Sequence, residues 1–145
     1  MASSLGGECV LYVATALEEG DEDLQRRIRL HRGRRPGGWG TLEIGGLDEV
    51  LEAAEKWDAV LLDSLTLWVS AREEPALPEF ERFLCLAGDL NVPFFLVSDE
   101  VGLGVVPESE AGRRFRDVLG LVNQRAAEAA EEVHLCVAGV GIRIK

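Results

Sequence analysis

Lysine is almost absent from this sequence. The 145 residues hold two, Lys56 and Lys145, and neither follows a glycine. The phosphate loop G-x-x-x-x-G-K-[ST] cradles phosphates in its backbone N–H groups and needs its lysine to reach them. No stretch here fits that pattern, so these residues alone do not argue for a Walker-type kinase. Aromatics are also scarce, at 6%, while 47% of residues are hydrophobic. The core is therefore expected to be mainly Leu, Val and Ala. No apolar run approaches the roughly 20 residues of a membrane-spanning helix. Residues 1–7 lack the basic start and apolar stretch of a signal peptide, so a cytoplasmic location is expected. Of the three cysteines, Cys9, Cys85 and Cys136, none forms a CxxC pair. Each sits in an apolar segment and reads as a small buried hydrophobe in a reducing compartment. With His31 and His134 as the only histidines, the spacing fits no usual zinc pattern.

Positive charge is scarce overall but concentrated. The net charge is −11, which argues against a non-specific nucleic-acid binder. Residues 26–35 nevertheless read RRIRLHRGRR, with six of the 15 basic residues; the remaining nine face 26 acids, a balance of −17. A cationic island in so acidic a chain points to a specific anion, and arginine suits phosphate because its planar fork donates two parallel hydrogen bonds. The alternative is a solvated basic helix face paired with Glu18, Glu19, Asp21, Glu22 and Asp23.

The length fits one ordinary domain. Residues 9–14 read as a buried strand ending at Thr15. Residues 21–32 read as a helix with acids in its first turn and arginines in its last, which suits the helix dipole. A loop follows at 34–38, then a short strand at 39–44 and a helix at 47–56. The run Ala59-Val60-Leu61-Leu62, closed by Asp63, suits a strand buried on both faces. A new element starts near Leu65, and 75–78 reads as a break. Further along come a helix at 79–90, a strand at 92–97 and a long helix at 109–131. Two closing strands at 133–137 and 142–144 have the spacing of a hairpin. Trp39, Trp57 and Trp68 are assigned to the core, and His134 to a structural role. This alternation predicts an α/β fold with a mostly parallel sheet and flanking helices. Ligands of such sheets bind beyond the carboxyl ends of the strands. Polar clusters occupy three of those ends: Ala14-Thr15-Ala16, Asp63-Ser64 and Ser98-Asp99-Glu100.

Two positions carry chemistry on residue type and place. Asp63 closes an apolar strand as a Walker B acid does, and there it helps hold Mg²⁺. His31 lies on or beside the apolar stripe of its helix, seven residues after Leu24 and three after Ile28. A neutral imidazole attacks an α-phosphate to form a phosphoramidate, splitting one transfer into two. Arg32, Arg34 and Arg35 would favour the neutral imidazole and offset phosphate charge. The competing reading is a helix-end histidine that meets the dipole or the core. Asp99 and Glu100 form a carboxylate pair for metal or substrate, or else serve a turn.

The ordered set VLYVATA (10–16), RRIRLHRGRRP (26–36), W-x-T-x-E (39–43), VLLDSLTLWVS (60–70), VSDEVGLGVVPES (97–109), FRDVLGLVNQ (115–124) and AEEVHLCVAGVGIRIK (130–145) resembles the bifunctional adenosylcobinamide kinase/adenosylcobinamide-phosphate guanylyltransferase family. The resemblance spans nearly the whole chain. It implies a RecA-like P-loop fold, a homotrimer, and two reactions in cobalamin biosynthesis. One phosphorylates adenosylcobinamide, with ATP as a donor; the other transfers GMP from GTP to adenosylcobinamide phosphate through a GMP-histidine. It also implies His31 as the nucleophile, within the R-I-x-x-H-R pattern of residues 27–32. Guanine-nucleotide contacts are implied at Ala14, Thr15, Ala16, Arg32, Gly33, Arg34, Arg35, Glu43 and Asp63.

Two departures stand out. The family usually has Asn-Glu where this chain has Asp99-Glu100. The family also opens with a strand and a G-G-x-R-S-G-K-S loop, while residues 1–7 read as the end of the helix after that loop. An upstream P-loop segment is thus expected to complete the domain. The expected ligands are GTP, Mg²⁺ and adenosylcobinamide phosphate, with Asp63 facing metal or ribose. The alternative is a non-catalytic relative that binds guanine nucleotide or a partner protein.

Overall fold

Four strands of four or five residues build the sheet, three of them largely apolar and one, Gly40–Glu43, mixed. The computed structural model describes residues 9–15, 30, 33, 35–72 and 76–145. Strands β1 (Val10–Ala14), β2 (Gly40–Glu43), β3 (Ala59–Asp63) and β4 (Phe94–Val97) pair in parallel in the order β2-β1-β3-β4. The near-continuous apolar sequences of β1 and β3 suit the two central strands of a parallel sheet. The helices are α1 (Asp48–Ala54), α2 (Leu65–Ser70), α3 (Ala76–Gly88) and α4 (Glu110–Ala129). The expected α/β architecture is therefore present.

Strand alternation divides the sheet into two unlike faces. Leu11, Val13, Val60 and Leu62 point to one side and join the main core, with Leu42, Phe94 and Leu96 packed against it. The same core takes Val50 and Ala54 of α1, Trp68 of α2, Phe80 and Phe83 of α3, and Leu119 and Val122 of α4. All four described helices thus pack on one face. Tyr12, Thr41, Glu43, Leu61, Asp63, Phe95 and Val97 alternate to the other face and contribute nothing to this core.

Local chemistry sets the helix ends. Ser64 caps α2, its Oγ accepting from Leu67 N at 3.3 Å, and Ser109 caps α4 by accepting from Gly112 N at 3.1 Å. At the far end of α4, Lys145 Nζ donates to the carbonyls of Ala127, Glu128 and Ala130 at 2.6–3.0 Å. A cation there also suits the helix dipole. The closing strands β5 (His134–Val137) and β6 (Val140–Arg143) form an antiparallel hairpin that is a sheet of its own. Ala138 and Gly139 both have positive φ, at 51° and 81°, as a two-residue type I′ turn demands.

Some expectations need correction. The break expected at 75–78 ends earlier: α3 begins at Ala76 and takes Pro78 into its first turn, where a missing N–H costs no helical bond. The three cysteines are exposed, not buried. Cys9 precedes β1, Cys85 lies on α3 away from Phe80 and Phe83, and Cys136 sits on the separate hairpin. Trp68 is buried and Trp57 packs against the core, but Trp39 is half-buried outside it. The helix expected at 21–32 lies outside the described residues apart from Leu30.

Trp57 crosses the start of β2 at Gly40. A Cβ on Gly40 would stand 2.1 Å from Trp57 Cη2 and 2.5 Å from Cζ2. Gly40→Ala is expected to cost about 1–3 kcal/mol through overpacking, read as a lowered thermal midpoint. Trp57→Leu in the same chain should recover part of that loss, and simple additivity of the two changes would refute this packing.

Candidate functional site

The parallel register lines up the strand ends. Ala14 pairs with Glu43 on one side and Asp63 on the other, and Asp63 pairs with Val97. All four are positions at which a strand ends, β1, β2, β3 and β4 respectively for Ala14, Glu43, Asp63 and Val97. The ladder runs one step further, with Thr15 N donating to Asp63 O and Ile44 N to Ala14 O, each at 3.3 Å.

Just past this row, Thr15 and Ser64 lock β1 to β3. Thr15 Oγ1 donates to Ser64 O at 2.8 Å and accepts from Ser64 N at 2.9 Å. Both residues are buried, so the two bonds satisfy backbone groups that water does not reach. Ser64 also caps α2 through its side chain. One residue therefore ties the strand ends to the next helix. The Asp63–Ser64 peptide is cis.

Tyr12, two residues before Ala14, projects to the same face as Asp63. Its hydroxyl donates to Asp63 Oδ2. The Arg35 guanidinium lies over its ring, with Cζ 3.5 Å from the centroid, within the range of a cation–π contact. Arg35 Nη1 donates to Thr41 Oγ1 at 2.7 Å. Arg35 Nε is buried with no hydrogen-bond partner. Burial pushes the Tyr12 phenol up from the usual 10 to about 12; the bond to Asp63 and its charge act the same way, against the lowering effect of Arg35.

Beyond β4 the chain is pinned by two helices. Asp99 N donates to Thr66 Oγ1 of α2 at 2.8 Å. Asn123 of α4 accepts from Ser98 Oγ at 2.6 Å and donates to Asp99 O at 3.1 Å. Glu100 is exposed, and its Oε1 accepts from Gly102 N in its own loop at 2.6 Å.

Among the residues expected to form the site, Ala14, Thr15, Glu43 and Asp63 share the strand-end row or adjoin it. Arg35 joins them through Tyr12. Gly33 is exposed in a turn. Ala16, His31, Arg32 and Arg34 lie outside the described residues. Asp99 and Glu100 follow β4 on an exposed segment, where the described contact of the Glu100 carboxylate serves the turn. Tyr12, Thr41, Thr66 and Asn123 have no role assigned from sequence alone. Tyr12 had one available signal, a polar tip two residues from a strand end.

Mg²⁺ takes hard oxygen donors, with one or two carboxylates and the remaining positions filled by water and phosphate. Among the described residues no group of three or more His, Cys, Asp or Glu could hold a metal ion. A single carboxylate at a strand end, as Asp63 presents, fits an ion shared with a bound phosphate.

Comparison with known proteins decides the family. The family described as "Cobinamide kinase / cobinamide phosphate guanyltransferase" matches residues 1–144. The chain belongs to this family. Three relatives agree with it. The "Bifunctional adenosylcobalamin biosynthesis protein CobP" of Pseudomonas aeruginosa is 40% identical over 146 aligned residues, covering 96% of this chain and 84% of the relative. The proteins named "Bifunctional adenosylcobalamin biosynthesis protein CobU" of Escherichia coli and Salmonella typhimurium are 36% and 35% identical, each covering 94% of this chain and 86% of the relative. The parallel sheet and its flanking helices are consistent with the P-loop type of fold expected for a cobinamide kinase/guanyltransferase. No helix among the described residues is long and apolar enough to cross a membrane.

Two outcomes are expected at this site. Thr15→Val strands Ser64 N and O in a buried position and should cost about 1–3 kcal/mol, measured by urea unfolding; an unchanged midpoint would remove the lock from the account. The Tyr12 phenol is raised in the fold, so its contribution to stability is complete below pH 10 and is lost as pH climbs from 10 to about 12. Across that window, without divalent cations, Tyr12→Phe should show a flatter fall in stability than the parent. Parallel curves would contradict a buried, bonded phenol.

Proposed function

We propose that this chain transfers GMP from GTP to adenosylcobinamide phosphate during cobalamin biosynthesis, through a covalent GMP adduct on His31. What supports the reading is the strand-end row of Ala14, Glu43 and Asp63, with Arg35 held beside it, in a chain of this family. The role of His31 itself rests on the R-I-x-x-H-R resemblance.

The chemistry has two displacements. The neutral His31 imidazole attacks the α-phosphorus of GTP in line. An N–P bond forms, the bridging P–O bond to the β-phosphate breaks, and pyrophosphate leaves. A phosphate oxygen of adenosylcobinamide phosphate then attacks the same phosphorus. The N–P bond breaks, imidazole returns to its starting form and adenosylcobinamide-GDP results. Arg32, Arg34 and Arg35 offset charge on the phosphates, and Thr15 and Glu43 contact the nucleotide with Ala14, Ala16 and Gly33. Asp63 holds Mg²⁺ or the ribose; when bound, Mg²⁺ supplies charge neutralisation at the phosphates. Asp99 and Glu100 are left for substrate or metal contact. The kinase activity of the family, with ATP as a donor, belongs to this reading only where a P-loop segment accompanies the chain. The assembly proposed is a homotrimer, in the cytoplasm.

Incubation with GTP labelled at the α-phosphate is expected to label the protein through a bond stable to alkali and labile to acid. His31→Ala should abolish the label. Equal labelling of that variant would overturn the nucleophile assignment, and nucleotide binding by the parent without any label would favour a relative that binds but does not catalyse.

A further inference from the structure

Tyr12 stands between two opposite charges. Its hydroxyl meets the Asp63 carboxylate and its ring carries the Arg35 guanidinium. Arginine and carboxylate side chains that meet at a site commonly pair directly, often through two parallel hydrogen bonds. Such a pair would occupy donors and acceptors on both partners. Here no direct ion pair joins Arg35 to Asp63; each makes its contact with the tyrosine instead. Arg35 Nη1 also donates to the hydroxyl of Thr41 at 2.7 Å, while its buried Nε has no partner. Tyr12 and Thr41 are themselves register partners across β1 and β2. The sheet therefore fixes the spacing of ring, hydroxyl and guanidinium.

We infer that Tyr12 is a positioning residue: it keeps Asp63 and Arg35 adjacent yet unpaired, so that the acid remains a ligand for a cation and the guanidinium a ligand for phosphate. The identity of that ligand as a magnesium-bound guanine nucleotide rests on the function proposed above. The separation itself rests on geometry alone. The two halves of the phenol have separate tasks. The hydroxyl orients the carboxylate, and the ring face seats the cation. Phenylalanine at this position keeps the second task and loses the first, whereas leucine loses both.

The test uses the whole chain and two readouts. The first is GTP affinity with Mg²⁺ and with a chelator. Tyr12→Phe should weaken binding of Mg²⁺–GTP by about three- to tenfold, as expected for one lost hydrogen bond, and leave binding of metal-free GTP nearly unchanged. Tyr12→Leu should weaken both. Thr41→Val is a surface change that removes the hydroxyl bonded to Arg35, and it should weaken metal-free GTP without selecting against the metal complex. Equal losses in both conditions for Tyr12→Phe would overturn the inference.

The second readout is the nitrogen-15 NMR signal of the Arg35 Nε–H, displaced by the ring current of Tyr12. Tyr12→Phe should keep that displacement, and Tyr12→Leu, or a larger aliphatic residue if leucine unfolds the chain, should abolish it. An Arg35 signal indifferent to both substitutions would overturn the seating of the cation. If the parent binds no GTP in either condition, the nucleotide reading fails, and the Arg35 signal alone decides whether Tyr12 seats the guanidinium.

Discussion

The in-step pairing of β1, β2 and β3 underlies every other feature of the site. Parallel strands place their carboxyl ends on one side of a sheet, but only register decides which residues share a row. Here Ala14, Glu43 and Asp63 arrive together from segments up to 49 positions apart in the chain. A slip of one residue on β3 would turn Asp63 into the helix-covered core and present Leu62 in its place. Burying an unpaired carboxylate there would be heavily unfavourable. The apolar pattern of β3 and its terminal acid therefore enforce the same alignment, one by attraction to the core and the other by exclusion from it.

The two hydroxyl residues beyond the row convert this alignment into a rigid edge. Thr15 and Ser64 exchange two bonds across the strand ends, and Ser64 turns the chain into α2. Thr66, on the first turn of that helix, reaches the backbone after β4. Asn123 of α4 holds the same backbone from another direction. The edge thus rests on helices that the core has already fixed, and the segments crossing it start from defined points. Preorganisation of this kind matters for phosphate chemistry, where catalysis is mostly placement and charge.

Much of this was legible beforehand. The short continuous apolar runs of β1 and β3, the helical stripe of α4 and the two closing strands each had a recognisable pattern. Thr15, Ser64 and Asp63 could be assigned to strand ends because polar residues that close apolar runs have few other places to go. Tyr12 was hidden because it sits inside such a run, where its ring counts as core and its hydroxyl goes unread. Thr66 and Asn123 belong to helices whose apolar faces attract attention first, and their partners lie 33 and 24 residues away. The cysteines misled for the converse reason. An apolar neighbourhood in sequence does not say which side of a helix or hairpin meets the core.

Because all four described helices cover one side of the sheet, alternate residues of β1 and β3 answer to different demands. Leu11, Val13, Val60 and Leu62 face side chains that must interlock, so their tolerance to exchange is governed by volume. Tyr12 and Asp63, one step out of phase, are constrained by hydrogen bonding and charge. Mutational tolerance should accordingly change from one residue to the next: in β1, Tyr12 responds to polarity, while its neighbours Leu11 and Val13 respond to size. Drift in the core can then proceed with little disturbance to the polar face, and ligand preference can change there without repacking the interior.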